Sequence, residues 1–187
     1  MLPIVGVLLA AGSGSRFGSN KLLHPLKDGT PMAVAAARRL RSACDITIAV
    51  VRPDNDSLEE LLRNEGLQVV VCDQAQLGMG HSLSAGVGAS SNAGGWIVAL
   101  ADMPFIDSTT YQRVVASLRA GASVARPKTG GRKGHPVGFA AHWFDQLSTL
   151  SGDTGARSLL ANSNEEVFHC TVDDPGIFRD IDTTDDL

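Results

Sequence analysis

The chain has 187 residues, 43% of them apolar and 5% aromatic, with a formal net charge of −4. That length fits one domain of ordinary size with a sizeable core, and the apolar fraction excludes a disordered chain. The negative charge argues against a general nucleic-acid or membrane-surface binder, and so few aromatics leave no base-stacking platform for single strands.

Strand-like runs recur along the chain with helix-like stretches between them. PIVGVLLA (3–10) is a continuous apolar run, the pattern of a strand covered on both faces. Thr30 and Pro31 predict a helix through about Ala43, with Thr30 as cap and Pro31 at the first helical position. DITIAVV (45–51) is the second strand. A helix over 57–65 follows, with Ser57 and Glu60 as a capping box, and Gly66 ends it. LQVVVC (67–72) is the third strand, and residues 80–91 read as a helix after the Gly78-Met79-Gly80 turn. WIVALA (96–101) is the fourth strand. Asp107-Ser108 caps a helix through about Ala120, which Gly121 stops. SVARP (123–127), PVGFAA (136–141) and EVFHCTV (166–172) add strands, FRDID (178–182) adds a short one, and the Gly- and basic-rich residues 128–135 form a loop. Alternating strands and helices imply βαβ units and a mostly parallel sheet. There is no repeat, linker or low-complexity segment, so residues 1–187 read as one domain.

The cysteines Cys44, Cys72 and Cys170 are odd in number and contain no CxxC pair, which suggests reduced thiols in a cytosolic protein. Cys72 and Cys170 sit in apolar runs and read as core. No apolar stretch reaches the roughly 18 residues of a membrane span. Residues 3–11 are too short to cross a bilayer and lack a preceding basic region, so they do not read as a signal peptide.

Ligands in open α/β sheets bind beyond the carboxyl ends of the strands, where the segment after the first strand must lie. That segment carries Gly12, Gly14 and Gly18 with Arg16 and Lys21. The third glycine comes one residue late for the dinucleotide fingerprint, no acidic residue stands at the end of the second strand, where Val50-Val51-Arg52 stand, and no Gly-Lys-Ser/Thr triplet makes a P-loop. What remains is a phosphate loop of another kind. Free backbone N–H groups meet anionic oxygens, Arg16 forks onto two of them, and Lys21 adds a point charge. The bland alternative is a solvated Gly/Ser loop.

The fourth strand ends in Ala101-Asp102-Met103-Pro104, aiming Asp102 into the same crevice. Asp182 follows a β-like segment and can be aimed inward from the acidic tail. Two such carboxylates suit Mg²⁺, which also takes phosphate oxygens and keeps several waters. A phosphate loop, two cations and magnesium carboxylates together suggest nucleotidyl transfer. A phosphate nucleophile is already ionised at neutral pH and needs no general base, in keeping with a chain that offers no convincing one.

The segments LAAGSGSRFGSNKLL, GMGHSL, ADMPF, GRKGHPVGF, GDTGARSLL and DIDTTDDL resemble the MobA-like nucleotidyltransferase family over essentially the whole chain. Within it, the chain is most similar to molybdenum cofactor cytidylyltransferases. The resemblance implies a Rossmann-like three-layer αβα fold of the nucleotide-diphospho-sugar transferase type, with a mostly parallel central sheet. It implies CTP, Mg²⁺ and a pterin-phosphate (molybdenum cofactor) acceptor. Arg16 and Lys21 then bind the triphosphate, Asp102 and Asp182 hold the metal, and the backbone near Leu9, Ala10, Ala11, Gly12 and Gly14 reads the nucleotide. Asp73, Gly78 and Ser82 line its pocket. Gly134, His135, Pro136 and Asp153 lie toward the acceptor. Handover of the finished cofactor to a molybdoenzyme or its chaperone is in keeping with the resemblance, although no residue here shows it. Ala10-Ala11 stands where the guanylyltransferase branch has Ala-Gly, and the Ala-Ala form is associated with CTP. The chain departs from the subgroup at Asp73, often Asn, and at His24, and it stops at Leu187 where the family usually continues a helix.

Other readings stay open beside this one: a guanylyl- or cytidylyltransferase with a sugar or polyol phosphate acceptor, and a non-catalytic cofactor-binding protein. Gly80-His81-Ser82-Leu83-Ser84 resembles a nucleophile elbow but lacks its last glycine and a preceding strand, so Ser82 reads as part of a helix start. The histidines show no metal-ligand spacing. His135 lies in a basic turn, Asp153 starts a helix, Arg38, Arg39 and Arg41 form a solvated face, and Trp96 and Trp143 are packing residues.

Overall fold

The computed structural model of the chain describes residues 1–12, 20–153, 155–162 and 165–186. Strand β1 (Ile4–Leu9) is followed by helix α1 (Met32–Arg41), β2 (Ile46–Val51), α2 (Asp56–Asn64) and β3 (Gln68–Val71). Next come α3 (Met79–Gly88), β4 (Gly95–Leu100), α4 (Ser108–Arg119), and the strands β5 (Val124–Thr129), β6 (Arg132–Lys133) and β7 (Val137–Ala140). Helices α5 (Phe144–Ser148) and α6 (Ala156–Asn162) precede β8 (Val167–Thr171).

One eight-stranded sheet runs β3-β2-β1-β4-β7-β5-β6, with β8 paired to β5. The β1–β2, β1–β4, β2–β3 and β5–β8 pairs are parallel, while β7 and β6 run antiparallel to their neighbours. Alternation along β1 explains the layers. Ile4 and Leu8 pack with α1, α2 and α4 on one face; Val5, Val7 and Leu9 pack with α3 and α5 on the other. A central strand buried on both sides therefore reads as an unbroken apolar run. The chain winds outward from β1 to β2 and β3, then returns to the other side of β1 as β4. The strand order reverses at the carboxyl ends of β1 and β4, where such sheets place their ligands.

Several local expectations need correction. Thr30 does not cap α1; its N–H bonds the Asp28 carboxylate at 2.9 Å and its carbonyl accepts from Leu26, so Pro31 takes the cap position. The capping box at Ser57 does not form: α2 starts one residue earlier behind Asn55, whose side-chain oxygen instead accepts from Asn20 at 2.8 Å. Residues 128–135 are not simply a loop, because Gly130 and Gly131 (φ 53° and 80°) turn β5 into β6 as a hairpin. Residues 178–182 are not a strand; a 3₁₀ turn at Pro175–Phe178 leads into extended chain. The α1 arginines are not simply a solvated face. Arg38 forks onto Glu65, Arg41 bonds the Glu65 carbonyl, and Arg39 bonds the Ile106 carbonyl, which ties α1 to its neighbours.

Trp96 and Trp143 are buried, their indole N–H groups bonded to Ser90 and Ser123. Cys72 and Cys170 are buried, and burial pushes the Cys44 thiol up to about 12. No helix among the described residues is long and apolar enough to cross a membrane.

Candidate active site

A cavity of about 810 Å³ opens at the reversal point, within the range of small-molecule sites. Its walls come from the ends of three parallel strands. The end of β1 supplies Leu9, Ala11 and Gly12, the end of β2 supplies Arg52, Pro53 and Asp54, and the end of β4 supplies Leu100 and Asp102. Ala10 lies beneath, buried, with its N–H already donated to the Val50 carbonyl at 2.8 Å. Among the described residues of this segment, the N–H groups left to meet a ligand are those of Ala11 and Gly12. Gly14 and Arg16 lie outside the described residues.

Lys21 occupies a 3₁₀ turn, Lys21–Leu23, and is only 7% exposed. Its ammonium lies 3.1 Å from Asp102 Oδ2 and 3.1 Å from Asp182 Oδ1. Burial alone pushes its pKa down, but the Asp102 charge and the hydrogen bonds to both carboxylates outweigh that and hold it above the ordinary lysine value. The two carboxylates and the cation thus converge from the start, the middle and the end of the chain. Their backbones are joined as well, Ile181 N–H donating to the Asp102 carbonyl at 3.0 Å.

The strap carrying Asp182 is anchored from behind. Asp174, 3% exposed, accepts from Asp107 N–H at 2.9 Å, Thr110 Oγ1 at 2.6 Å and Gly176 N–H at 2.9 Å, which fixes the strap to the start of α4. Gly134, His135 and Pro136 do not line the cavity. They buttress the strap: His135 N–H bonds the Ile177 carbonyl, and a Cβ on Gly134 falls 2.5 Å from that same oxygen. Burial, reinforced by the Arg126 charge, holds the His135 pKa below the usual imidazole value, against the pull of Asp102 and Asp180. Arg132 of the basic loop stacks on Phe178, and Arg126 of β5 bonds the Gly134 carbonyl, so both guanidinium groups are engaged in structure.

The opposite wall is set by glycines. Gly78 (φ 127°, ψ 165°) takes a conformation open essentially to glycine alone, and Gly80 N–H donates to the Gly152 carbonyl at 2.8 Å. This clamp brings Asp153 to the rim, beside Gly78, Met79 and the buried Ser82 of α3. Ser82 lies one turn into the helix, and Asp153 precedes α6 rather than starting it. Asp73 is exposed and lies off the cavity lining. Sequence reasoning missed Arg52, Pro53, Asp54 and Gln76. The carboxyl-end rule applied to β2, as it was to β1 and β4, finds the first three.

Among the described residues the cavity presents four carboxylates (Asp54, Asp102, Asp153, Asp182) against two cations, Lys21 and Arg52. A polyanionic ligand needs further positive charge to sit there. Asp102 and Asp182 fit a hard divalent ion: both are oxygen donors facing the cavity. No group of three or more His, Cys, Asp or Glu side chains converges among the described residues, so water and ligand oxygens complete such a shell.

An eight-stranded α/β sheet with ligand groups converging on its reversal point defines a nucleotidyltransferase fold of the nucleotide-diphospho-sugar transferase type. The MobA-like NTP transferase domain matches residues 6–167, and the chain belongs to that family. It is 32% identical to purine catabolism protein PucB of Bacillus subtilis (strain 168), over 98% of this chain and 93% of that protein. It is also 32% identical to the nicotine blue oxidoreductase of Paenarthrobacter nicotinovorans, over 98% and 94%. The molybdenum cofactor guanylyltransferase of Cupriavidus pinatubonensis is 31% identical over 98% and 94%. Among solved structures, Rv0371c from Mycobacterium tuberculosis H37Rv superposes with a TM-score of 0.86 at 28% identity, covering 99% of this chain and 95% of that one. Its complex with manganese superposes at 0.81 and 27% identity, covering 98% and 95%.

Proposed function

We propose that this chain, acting as one unit over residues 1–187, is a Mg²⁺-dependent cytidylyltransferase. It moves CMP from CTP to the phosphate of a molybdopterin-type cofactor and releases pyrophosphate. The observation that carries the reading is the meeting of Asp102 and Asp182 across Lys21, at the mouth of a cavity sized for a nucleotide. The choice of CTP rests on Ala10-Ala11, and the choice of acceptor on the resemblance of RKGHPVGF and GDTGAR.

In this reading the Ala11 and Gly12 N–H groups orient the nucleotide at the end of β1. Arg16, Lys21 and Arg52 supply positive charge to the triphosphate. An acceptor phosphate oxygen forms a bond to the α-phosphorus while the α–β bridging bond breaks, and the electron pair leaves with pyrophosphate. The nucleophile is ionised at neutral pH, so no side chain need take a proton. Asp102 and Asp182 hold a divalent ion that, when bound, stabilises charge on the α-phosphate and the departing group. Asp153, at the rim, faces the acceptor side. All three cysteines are free thiols, which supports a reducing, cytoplasmic setting. A reaction that completes a cofactor implies a receiving molybdoenzyme or its chaperone.

The guanylyl alternative is favoured by one observation, the 31% identity to a molybdenum cofactor guanylyltransferase. Calorimetry with CTP, GTP, ATP and UTP, with and without Mg²⁺, separates the two. Selective, metal-dependent CTP binding supports the proposal. Selective GTP binding moves the protein to the guanylyl reading. No nucleotide binding removes the transferase reading.

A further inference from the structure

Two carboxylates that face a solvent-filled cavity have no reason to approach one another unless a cation sits between them. Asp102 and Asp182 do approach, their side chains 30% and 55% exposed, and the cation between them is Lys21. The ammonium itself is buried, and both neighbours of the lysine in its turn, Leu22 and Leu23, pack into the core. The Lys21 backbone is therefore held, His24 N–H closing the turn on the Lys21 carbonyl, and only the end of the side chain can swing.

We infer that Lys21 is a positioning residue that serves as a built-in counter-cation. In the nucleotide-free protein it holds Asp102 and Asp182 together and competes with bare metal for them. It gives them up when a triphosphate offers its ammonium another anion. The inference rests on the proposed metal role of the two carboxylates and adds a coupling to it. A divalent ion entering alone must displace a buried ammonium that has no other described acceptor, on a cavity wall already rich in carboxylate. A metal ion arriving with a triphosphate brings the oxygens to which Lys21 can transfer. Metal and nucleotide then raise each other's affinity by one and the same factor, as linkage requires, and coupling of this kind is typically about 5- to 150-fold.

The test is Mn²⁺ binding to the full chain, read from the electron paramagnetic resonance signal of the unbound ion, with and without CTP (or GTP, if calorimetry selects it). Lys21→Met keeps the length and apolar stem but not the charge. It is expected to bind Mn²⁺ about tenfold or more tightly without nucleotide, and to lose most of the nucleotide-induced gain. Lys21→Arg is expected to stay like the wild type. Lys21→Gln replaces the methionine variant if circular dichroism shows that variant unfolded. Nucleotide-free Mn²⁺ affinity in the neutral variant equal to or below that of the wild type overturns the inference. A different result marks failure of the parent reading: tight Mn²⁺ binding that survives Asp102→Asn in the Lys21→Met background means that these carboxylates do not hold the metal.

Discussion

Gly78→Ala tests how rigidly the wall opposite Asp102 is built. An added Cβ lies 2.2 Å from the Gly152 carbonyl carbon, 2.3 Å from its oxygen and 2.5 Å from Asp153 N, all backbone atoms that cannot rotate away. The backbone at φ 127° is itself a glycine conformation, and holding alanine there costs about 1–3 kcal/mol. Relieving the overlap costs about another 1–3 kcal/mol. Moving the 151–153 segment away also breaks the Gly80 N–H bond to Gly152, about 1 kcal/mol net. A total destabilisation of about 3–7 kcal/mol is expected, which for a chain of this size lowers the melting temperature by roughly 6–28 °C. Equilibrium urea unfolding measures it, with Gly155→Ala as control. Among the described residues the control Cβ meets only the Met79 sulfur, at 3.4 Å, and should stay within about 1 kcal/mol of wild type. The same displacement carries Asp153 off the rim, so ligand affinity should fall even where the variant remains folded. A loss below about 1 kcal/mol for Gly78→Ala would falsify the claim that this backbone contact is fixed.

A Cβ on Gly12 meets nothing within 4 Å among the described residues, so Gly12→Ala should leave stability within about 0.5 kcal/mol while weakening nucleotide binding in calorimetry. Unchanged affinity removes Gly12 from the nucleotide site. Asp174→Ala strands the buried Gly176 N–H, the part-buried Asp107 N–H and the buried Thr110 hydroxyl; it should cost about 3 kcal/mol or more in urea unfolding and weaken Mn²⁺ binding by loosening the strap that bears Asp182. Loss of stability with metal binding intact would sever that link. His135 has a folded-state pKa held down by burial and by Arg126, so the unfolded chain takes the proton first as pH falls. Its contribution is complete above about pH 6.5 and is lost below it, by up to about 1.4 kcal/mol per pH unit. His135→Gln should flatten that slope between pH 7.5 and 5.5 in urea titrations, and parallel slopes for the two proteins would refute the assignment.

Much of the fold was legible in the sequence because burial writes itself into local pattern. β1 lies between two helical layers and must be apolar on both faces, which is what PIVGVLLA displays. Stop signals at Gly66 and Gly121 were legible for the same local reason: both have positive φ, where side chains are disfavoured. The expected caps of α1 and α2 do not form because other groups, one local and one distant, compete for the same atoms. Asn20 takes the Asn55 side chain from 35 residues away, beyond any local window, whereas the Asp28 turn takes Thr30 from only two residues away.

The site divides in the same way. Chain order alone placed Lys21 and Asp102 just beyond parallel strands, because the carboxyl ends of such strands share one edge of the sheet. That Asp182 comes within 3.1 Å of Lys21 depends on Asp174, Gly134 and Gly176 locking a strap across that edge. Only the tertiary structure decided that, since like charges meet where folding sets a cation between them, and a sequence states which charges exist without stating which of them face each other.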